Sequence, residues 1–342
     1  MRVEEFDYHL PPSLVAQYPP AQRGDTSLMV LDRRTGHIEH RAFGDIAQYL
    51  SPSDLLVMNN TRVLPARLIG KKETGGRVEI LLIPSWNSVE GEWKALIKGG
   101  GKMKRGARIQ FEQGFEGEVG EVKHGIGKIS FSCQGEVMDI LQKIGHVPLP
   151  PYIKRGDEGL DRKRYQTVFA ARDGSIAAPT AGLHFTHALL ESLREIGVRT
   201  AMITLHVGIG TFTPVMARDL EDHIMEAEWI EIPEDTAREI EDTKERGGKV
   251  IAVGTTTTRA LESFSNGSRR VKPGRGTTSL FIHPPYRFRI IEGLVTNFHL
   301  PKSTLIMLAS AFAGRDLLMK AYQEAILRKY RFYSYGDAML IL

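Results

Sequence analysis

The sequence predicts an α/β fold, a main domain around a largely parallel sheet with a small antiparallel β-barrel domain inserted into it. Three observations lead there. The chain has 342 residues, beyond the size at which one hydrophobic core stops growing, so two domains are expected. Between Arg62 and Cys133 come short runs with strand alternation and hardly a helical period, the pattern of a closed or nearly closed barrel. After the proline-rich "HVPLPPY", helical and strand patterns alternate, which is the order of an α/β domain.

The elements follow in chain order. "SLMVLDRRTGHIEHRAF" reads as two strands around a Thr-Gly turn, "GDIAQYL" as a short helix and "DLLVMNN" as an apolar strand. The barrel strands are expected at "ARLIGKK", "RVEILLI", "EWKALIK", "ARIQF", "GEVGEVK" and "KISFSC", with glycine-rich turns between them. "GEVMDILQKIG" sets Val137, Ile140, Leu141 and Ile144 at helical spacing before the prolines break the chain. Helices are then expected in "HFTHALLESLREIG", "PEDTAREIEDTKERGG", "TTTTRALESF", "STLIMLASAFAG" and "RDLLMKAYQEAILRKY", and strands in "VRTAMITLHVG", "KVIAVG", "TSLFIHP" and "GLVTNFHL". Two strands and one short helix cannot bury a core alone, so the N-terminal piece must pack on the C-terminal part. The expected division is residues 1–61 with 146–342 as the α/β catalytic domain and residues 62–145 as the barrel.

Composition narrows the function classes. With 42% hydrophobic and 25% charged residues the chain is not disordered, and it has no apolar stretch long enough to span a membrane. The opening "MRVEEFDYHLPP" carries early acids and no apolar run, so no signal peptide is expected and the cytosol is the expected compartment. A single cysteine, Cys133, excludes an intrachain disulfide and argues against a cysteine zinc site; it reads as a buried strand thiol. Net charge is only +4. Its distribution says more, because "KGGGKMKRGAR" gathers Lys98, Lys102, Lys104, Arg105 and Arg108 with no acid between them. Such a loop on a small barrel neutralises RNA phosphates, or is a solvated surface loop.

Three stretches share a pattern: "PTAGLHFT" with His184, "TLHVGIGTF" with His206 and "TNFHLPKST" with His299. Each histidine sits at or just past an apolar run. Ligands bind beyond the carboxyl ends of strands in such sheets, so the three imidazoles are expected around one crevice, as proton-transfer groups or as structural hydrogen-bonding groups. A metal site is not expected: "HFTH" (His184, His187) and "HIMEAE" (His223, Glu226, Glu228) match no metal signature. In "KVIAVGTTTTRALES" a buried strand ends at Gly254 and a helix opens with Thr255, Thr256, Thr257 and Thr258, then Arg259. Amides and hydroxyls at such a helix start bind phosphate, carboxylate or ribose hydroxyls, though one threonine could simply cap the helix. The loop is neither a Walker A sequence nor a dinucleotide fingerprint. "MNNTRVLPARL" offers Asn59, Asn60 and Arg62 to a base edge or phosphate, or serves as a turn. "RFYSYGDAML" places Tyr333 and Tyr335 near Arg331 and Asp337, as base-stacking groups or core.

Taken together, "NNTRVLPARL", "PLPPYI", "RYQTVFA", "AAPTAGLHFT", "TLHVGIGTFTPV", "VGTTTTRALES", "TNFHLPKSTLIMLASAFAG" and "YRFYSYGDAML" resemble the S-adenosylmethionine:tRNA ribosyltransferase-isomerase family of queuosine biosynthesis, over nearly the whole chain. The resemblance implies a cytosolic, monomeric enzyme with an inserted barrel and no metal. Its cosubstrate would be S-adenosylmethionine, and its partner a tRNA carrying 7-aminomethyl-7-deazaguanine at the wobble position. The ribosyl part would be transferred to give epoxyqueuosine, with adenine and methionine released. On that reading His184, His206 and His299 carry proton transfers and orientation. Substrate contacts would come from Asn59, Asn60, Arg62, Thr180, Thr255, Thr256, Thr257, Arg259, Asn297, Lys302 and Asp337, and tRNA contacts from the basic loop. Two departures stand out: Glu226 replaces a histidine in H-x-M-H-x-E, and Thr213 stands where relatives often carry a longer polar residue. The residues alone leave two rivals, a metal-dependent hydrolase and a noncatalytic RNA-binding protein.

Overall fold

The computed structural model describes all residues except 85–91, 100–102, 132–136, 213–214, 216, 266 and 268. Lys102, Cys133 and Thr213 therefore lie outside the described residues.

After short 3₁₀ segments at Val3–Phe6 and Pro12–Leu14 come β1 (Ser27–Leu31) and β2 (Ile38–Ala42), antiparallel around a turn at Gly36, whose φ of 74° suits glycine. The expected short helix is a 3₁₀ segment, Phe43–Tyr49. Then come β3 (Leu55–Asn59) and β4 (Thr61–Val63). All six barrel strands form where the alternation put them: β5 (Arg67–Lys72), β6 (Arg77–Ile83), β7 (Glu92–Lys98), β8 (Ala107–Phe111), β9 (Glu116–Lys123) and β10 (Ile126–Phe131). They close in the order β10-β7-β6-β5-β8-β9. β7 and β8 are not neighbours in that order, so they do not form a hairpin. Inward positions such as Leu68, Ile80, Ala95, Ile109 and Val119 are buried, and α1 (Val137–Ile144) adds Ile140, Leu141 and Ile144 to the same core. Ile176 and Ile209 of the α/β part join that core too.

Beyond the barrel run α2 (Gly159–Arg164), β11 (Arg172–Ser175), α3 (His187–Glu195), β12 (Arg199–Leu205), β13 (Glu228–Ile232) and α4 (Glu234–Glu245). There follow β14 (Val250–Val253), α5 (Thr255–Ser263), β15 (Gly274–Thr278), β16 (Gly293–Asn297), α6 (Thr304–Ala313), α7 (Arg315–Leu327) and β17 (Ala338–Ile341). β4 and β11 pair in parallel at the barrel's junction. Among the described residues the main sheet has nine strands, ordered β15-β13-β12-β3-β14-β16-β17-β1-β2. The run β12-β3-β14-β16 is parallel, and antiparallel strands extend it on both sides.

β3 and β14 are buried throughout, as expected of strands covered on both faces. Alternation splits their side chains: Leu55 and Val57 enter one core with Leu294, while Leu56 and Met58 enter another with Val295. β1, β2 and β17 complete the sheet, so the N-terminal piece does return to the C-terminal part.

The strand expected at "TSLFIHP" forms earlier, at Gly274–Thr278. It is a largely exposed edge strand held by backbone pairing to β13, so no apolar pattern marks it. β4, β11, β13 and β17, three to five residues long, were not anticipated.

Candidate active site

Because β12, β3, β14 and β16 run parallel, their carboxyl ends share one edge, and the loops bearing His206, Asn59, Thr255 and His299 emerge there. A cavity of about 990 Å³, open solvent at its mouth included, lies at that edge. This is the place where open α/β sheets bind ligands.

One wall is the start of α5. Gly254 has φ 95°, a conformation in which a side chain is strained, and it turns the chain from β14 into the helix. Thr257 and Thr258 donate back to the carbonyls of Val253 (2.8 Å) and Gly254 (3.2 Å), while Thr255 and Thr256 line the cavity. Two threonines thus serve the helix and two face the opening, near first-turn amides that have no carbonyl four residues back within the helix. Arg259, 6% exposed, also lines it. Its Nε donates to Leu280 O (2.9 Å), and its Nη1 is ion-paired with Glu228, itself 5% exposed. Glu228 Oε1 accepts from the Gly208 amide at 3.0 Å. Arg259 Nη2 is buried without a hydrogen-bond partner among the described residues.

Another part of the lining is aromatic. Tyr152, Tyr165, Phe298 and Tyr333 belong to it; the rings of Tyr152 and Tyr333 lie 4.6 Å apart, and Tyr152 Oη is 2.5 Å from Ser334 Oγ. Burial pushes the Tyr152 hydroxyl up to about 12, so it remains a neutral donor.

The three histidines do not share this space. His299 lines the cavity; His184 lies in an adjacent recess with Thr26, Arg164 and Tyr335; His206 is on the wall of neither. The reason is the period of two in β16: Thr296 and Asn297 point to opposite faces, and Thr296 holds His299 (Nε2 to Oγ1, 2.6 Å) while Asn297 holds His184 (Nδ2 to Nε2, 3.0 Å). His206 packs against Trp229, ring centroids 5.0 Å apart, with Nδ1 2.7 Å from Thr61 Oγ1. Burial lowers His184 to about 3, helped by the positive Arg331 and Arg23. It lowers His299 to about 3, and His206 to about 4 with help from Arg172. All three rings are neutral at pH 7.

Among the other candidates, Thr180 and Asn297 line the cavity, the threonine donating to Asn297 Oδ1 at 2.9 Å. Asn59 is a clamp: its amide donates to Leu205 O and Thr256 Oγ1 and accepts from the amides of Thr61 and Leu205. Asn60 accepts from the Thr204 hydroxyl. Arg62 is exposed on β4 beside Asp173. Lys302 pairs with Asp7 at 2.9 Å, and Asp337 accepts from the amides of Ser27 and Arg331; neither lines the cavity.

A groove between barrel and sheet meets the cavity, since Pro150 and Glu226 line both. Arg67, Lys98, His124 and Arg155 edge it over Leu81, Leu96 and Ile126. Lys98 of the basic loop thus reaches it; Lys104, Arg105 and Arg108 are not on its wall. Among the described residues no group of three or more His, Cys, Asp or Glu is placed to hold a metal ion, and no helix is long and apolar enough to cross a membrane.

The family model described as queuosine biosynthesis protein matches residues 3–341. The chain belongs to the queuosine biosynthesis protein family. A relative from Halothermothrix orenii, named S-adenosylmethionine:tRNA ribosyltransferase-isomerase, is 52% identical over 100% of both chains. One of the same name from Pelotomaculum thermopropionicum is 49% identical, again over 100% of both. The crystal structure of S-adenosylmethionine tRNA ribosyltransferase from Thermotoga maritima is 40% identical, covering 99% of this chain and 100% of that one, with a TM-score of 0.58.

In this member of the queuosine biosynthesis family, sequence reasoning missed Glu228, Tyr152 and Tyr165 as cavity residues. Glu228 meets an arginine 31 positions away, and no local spacing announces that. The tyrosines lie within "PLPPYI" and "RYQTVFA", stretches that the family resemblance had already marked.

Proposed function

We propose that the chain transfers and isomerises the ribosyl part of S-adenosylmethionine onto 7-aminomethyl-7-deazaguanine at the wobble position of tRNA, releasing adenine and methionine. The observation that supports this best is the cavity at the carboxyl ends of the parallel strands, in a chain whose full length matches proteins bearing that activity's name. The cavity's two walls suit the two halves of the cosubstrate. The α5 amides, Thr255, Thr256 and Arg259 face groups with oxygen and negative charge. The aromatic wall suits a purine.

A sulfonium acidifies the adjacent ribose 5′ carbon, and departing adenine is helped by a donor at a ring nitrogen. On this reading His299, which lines the cavity, meets the reacting groups, and His184 and His206 orient what surrounds them. We take residues 62–145 as the domain that presents the RNA, with tRNA contacts from Lys98 on the groove and from Lys102, Lys104, Arg105 and Arg108. The enzyme acts as a monomer in the cytosol and uses no metal.

The test is incubation with S-adenosylmethionine and a tRNA bearing the aminomethyl precursor. Free adenine and methionine are expected in equal amounts, only when that tRNA is present and regardless of a chelator. S-adenosylhomocysteine as the product, or activity lost to the chelator and regained with zinc, would overturn the reading.

A further inference from the structure

The tautomer of His299 follows from its surroundings. Thr296 is 1% exposed, and among the described residues its hydroxyl oxygen meets His299 Nε2 at 2.6 Å and no other partner. Were the ring to donate from Nε2, the hydroxyl proton would be left buried without an acceptor, which is costly. The hydroxyl therefore donates to Nε2, and the neutral ring carries its proton on Nδ1.

Nδ1 has no hydrogen-bond partner among the described residues and is not one of the enclosed, unsatisfied polar atoms. With the ring on the cavity wall, it is the nitrogen a ligand meets. His184 contrasts with it: Nε2 faces the Asn297 amide and Nδ1 the Thr26 hydroxyl, so both positions are occupied. The His299 backbone is pinned as well, its amide donating to Tyr322 Oη (2.9 Å) and its carbonyl accepting from Tyr8 Oη. Leu300, Leu305 and Tyr333 offer flat or apolar surface on the same cavity. Burial keeps the ring neutral, so it acts as a fixed donor and not as a base.

We propose that His299 Nδ1–H donates to a ring nitrogen of the adenine of S-adenosylmethionine as that base leaves, with the Thr296 hydroxyl as the positioning group that sets the tautomer. This rests on the function proposed above. The electron pair of the C1′–N9 bond departs with adenine while a lone pair of the ribose O4′ forms the second C1′–O4′ bond, and the donated hydrogen bond meets the charge that spreads onto the ring nitrogen. The Nδ1–H bond is not broken. The proton that neutralises adenine is one the substrates release, delivered through water.

The test measures adenine release by the wild type, His299→Ala, His299→Asn and Thr296→Val, each with S-adenosylmethionine and with its 3-deaza and 7-deaza analogues. Loss of a preorganised donor costs about 10²-fold or more in kcat, so His299→Ala should lose about that factor with the tRNA KM little changed. One of the two analogues should slow the wild type comparably and slow His299→Ala no further. His299→Asn, whose amide nitrogen can stand near the Nδ1 position, should recover part of the loss, and Thr296→Val, which leaves His299 Nε2 unpaired, should melt somewhat lower yet, while still folded, lose rate with S-adenosylmethionine and little further rate with the sensitive analogue. Should His299→Ala fail to fold, the last two variants carry the test. Losses that simply multiply between variant and analogue, or a His299→Ala enzyme at the wild-type rate, would overturn the assignment while leaving the reaction intact. A wild type that releases no adenine would overturn the functional reading itself, and this inference with it.

Discussion

The amide nitrogen of Asn297 lies 3.0 Å from His184 Nε2, and the same side chain accepts the Thr180 hydroxyl at 2.9 Å. With Thr26 on Nδ1 at 2.9 Å, this makes a buried chain that runs from β1's approach, through the imidazole, to the cavity wall. The amide hydrogen fixes the ring with its proton on Nδ1. His184 is thus a brace for Asn297 and Thr180.

Substituting His184 should therefore act through stability and position. His184→Ala leaves the Thr26 hydroxyl and one of the two Asn297 amide hydrogens, the other being donated to Tyr333 O, without a partner, a loss of about 1–3 kcal/mol for an unsatisfied group. Urea denaturation should show a lower midpoint, while the pH dependence of kcat stays that of the wild type. A changed pH profile at unchanged stability would instead make His184 a proton-transfer group.

The Arg259–Glu228 pair is buried on both sides. Removing one partner of a buried pair costs about 3–5 kcal/mol, so Glu228→Gln should melt well below the wild type. Arg259→Leu combined with Glu228→Leu should regain much of that stability, and calorimetry should find S-adenosylmethionine binding weakened all the same. Undiminished binding by the double variant would remove Arg259 from the ligand wall.

Acid should destabilise the fold. His184 and His299 are held near about 3 and His206 near about 4, against about 6.5 in an unfolded chain. Between those values the unfolded state binds more protons than the folded one, so stability falls as pH drops from about 6.5. Each buried ring contributes up to about 1.4 kcal/mol per pH unit in that window. Denaturation at pH 7, 6 and 5 checks the slope; a flat response would contradict neutral buried rings.

The groove should matter to RNA and not to the cosubstrate. Lys98→Glu is expected to raise the KM for tRNA and to flatten its salt dependence by somewhat under one unit of log–log slope, as for about one lost phosphate contact. The KM for S-adenosylmethionine should stay within about two-fold, since lost phosphate contacts weaken RNA binding alone. An equal rise in both would place Lys98 at the cavity instead.

The barrel was readable because its strands hide one face and expose the other, leaving alternation in the sequence. β15 was not, because its pairing to β13 uses backbone groups that any residue carries. At the site, Thr255 and Thr256 were visible as small polar residues following a buried strand. Glu228 was not, since its role depends on a partner brought close only by the fold. The convergence of three histidines was misjudged for a simple reason: in β16 neighbouring positions face opposite sides, so Thr296 and Asn297 hold their histidines on opposite faces of the sheet.

The fate of the cosubstrate's carbon skeleton tests the central claim most directly. S-adenosylmethionine labelled either in its ribose or in its methyl group is given to the enzyme with precursor tRNA, and the label retained on the RNA is counted. Ribose label on the tRNA with no methyl label is the predicted result. Methyl label on the RNA, or no ribose label there, would contradict the account.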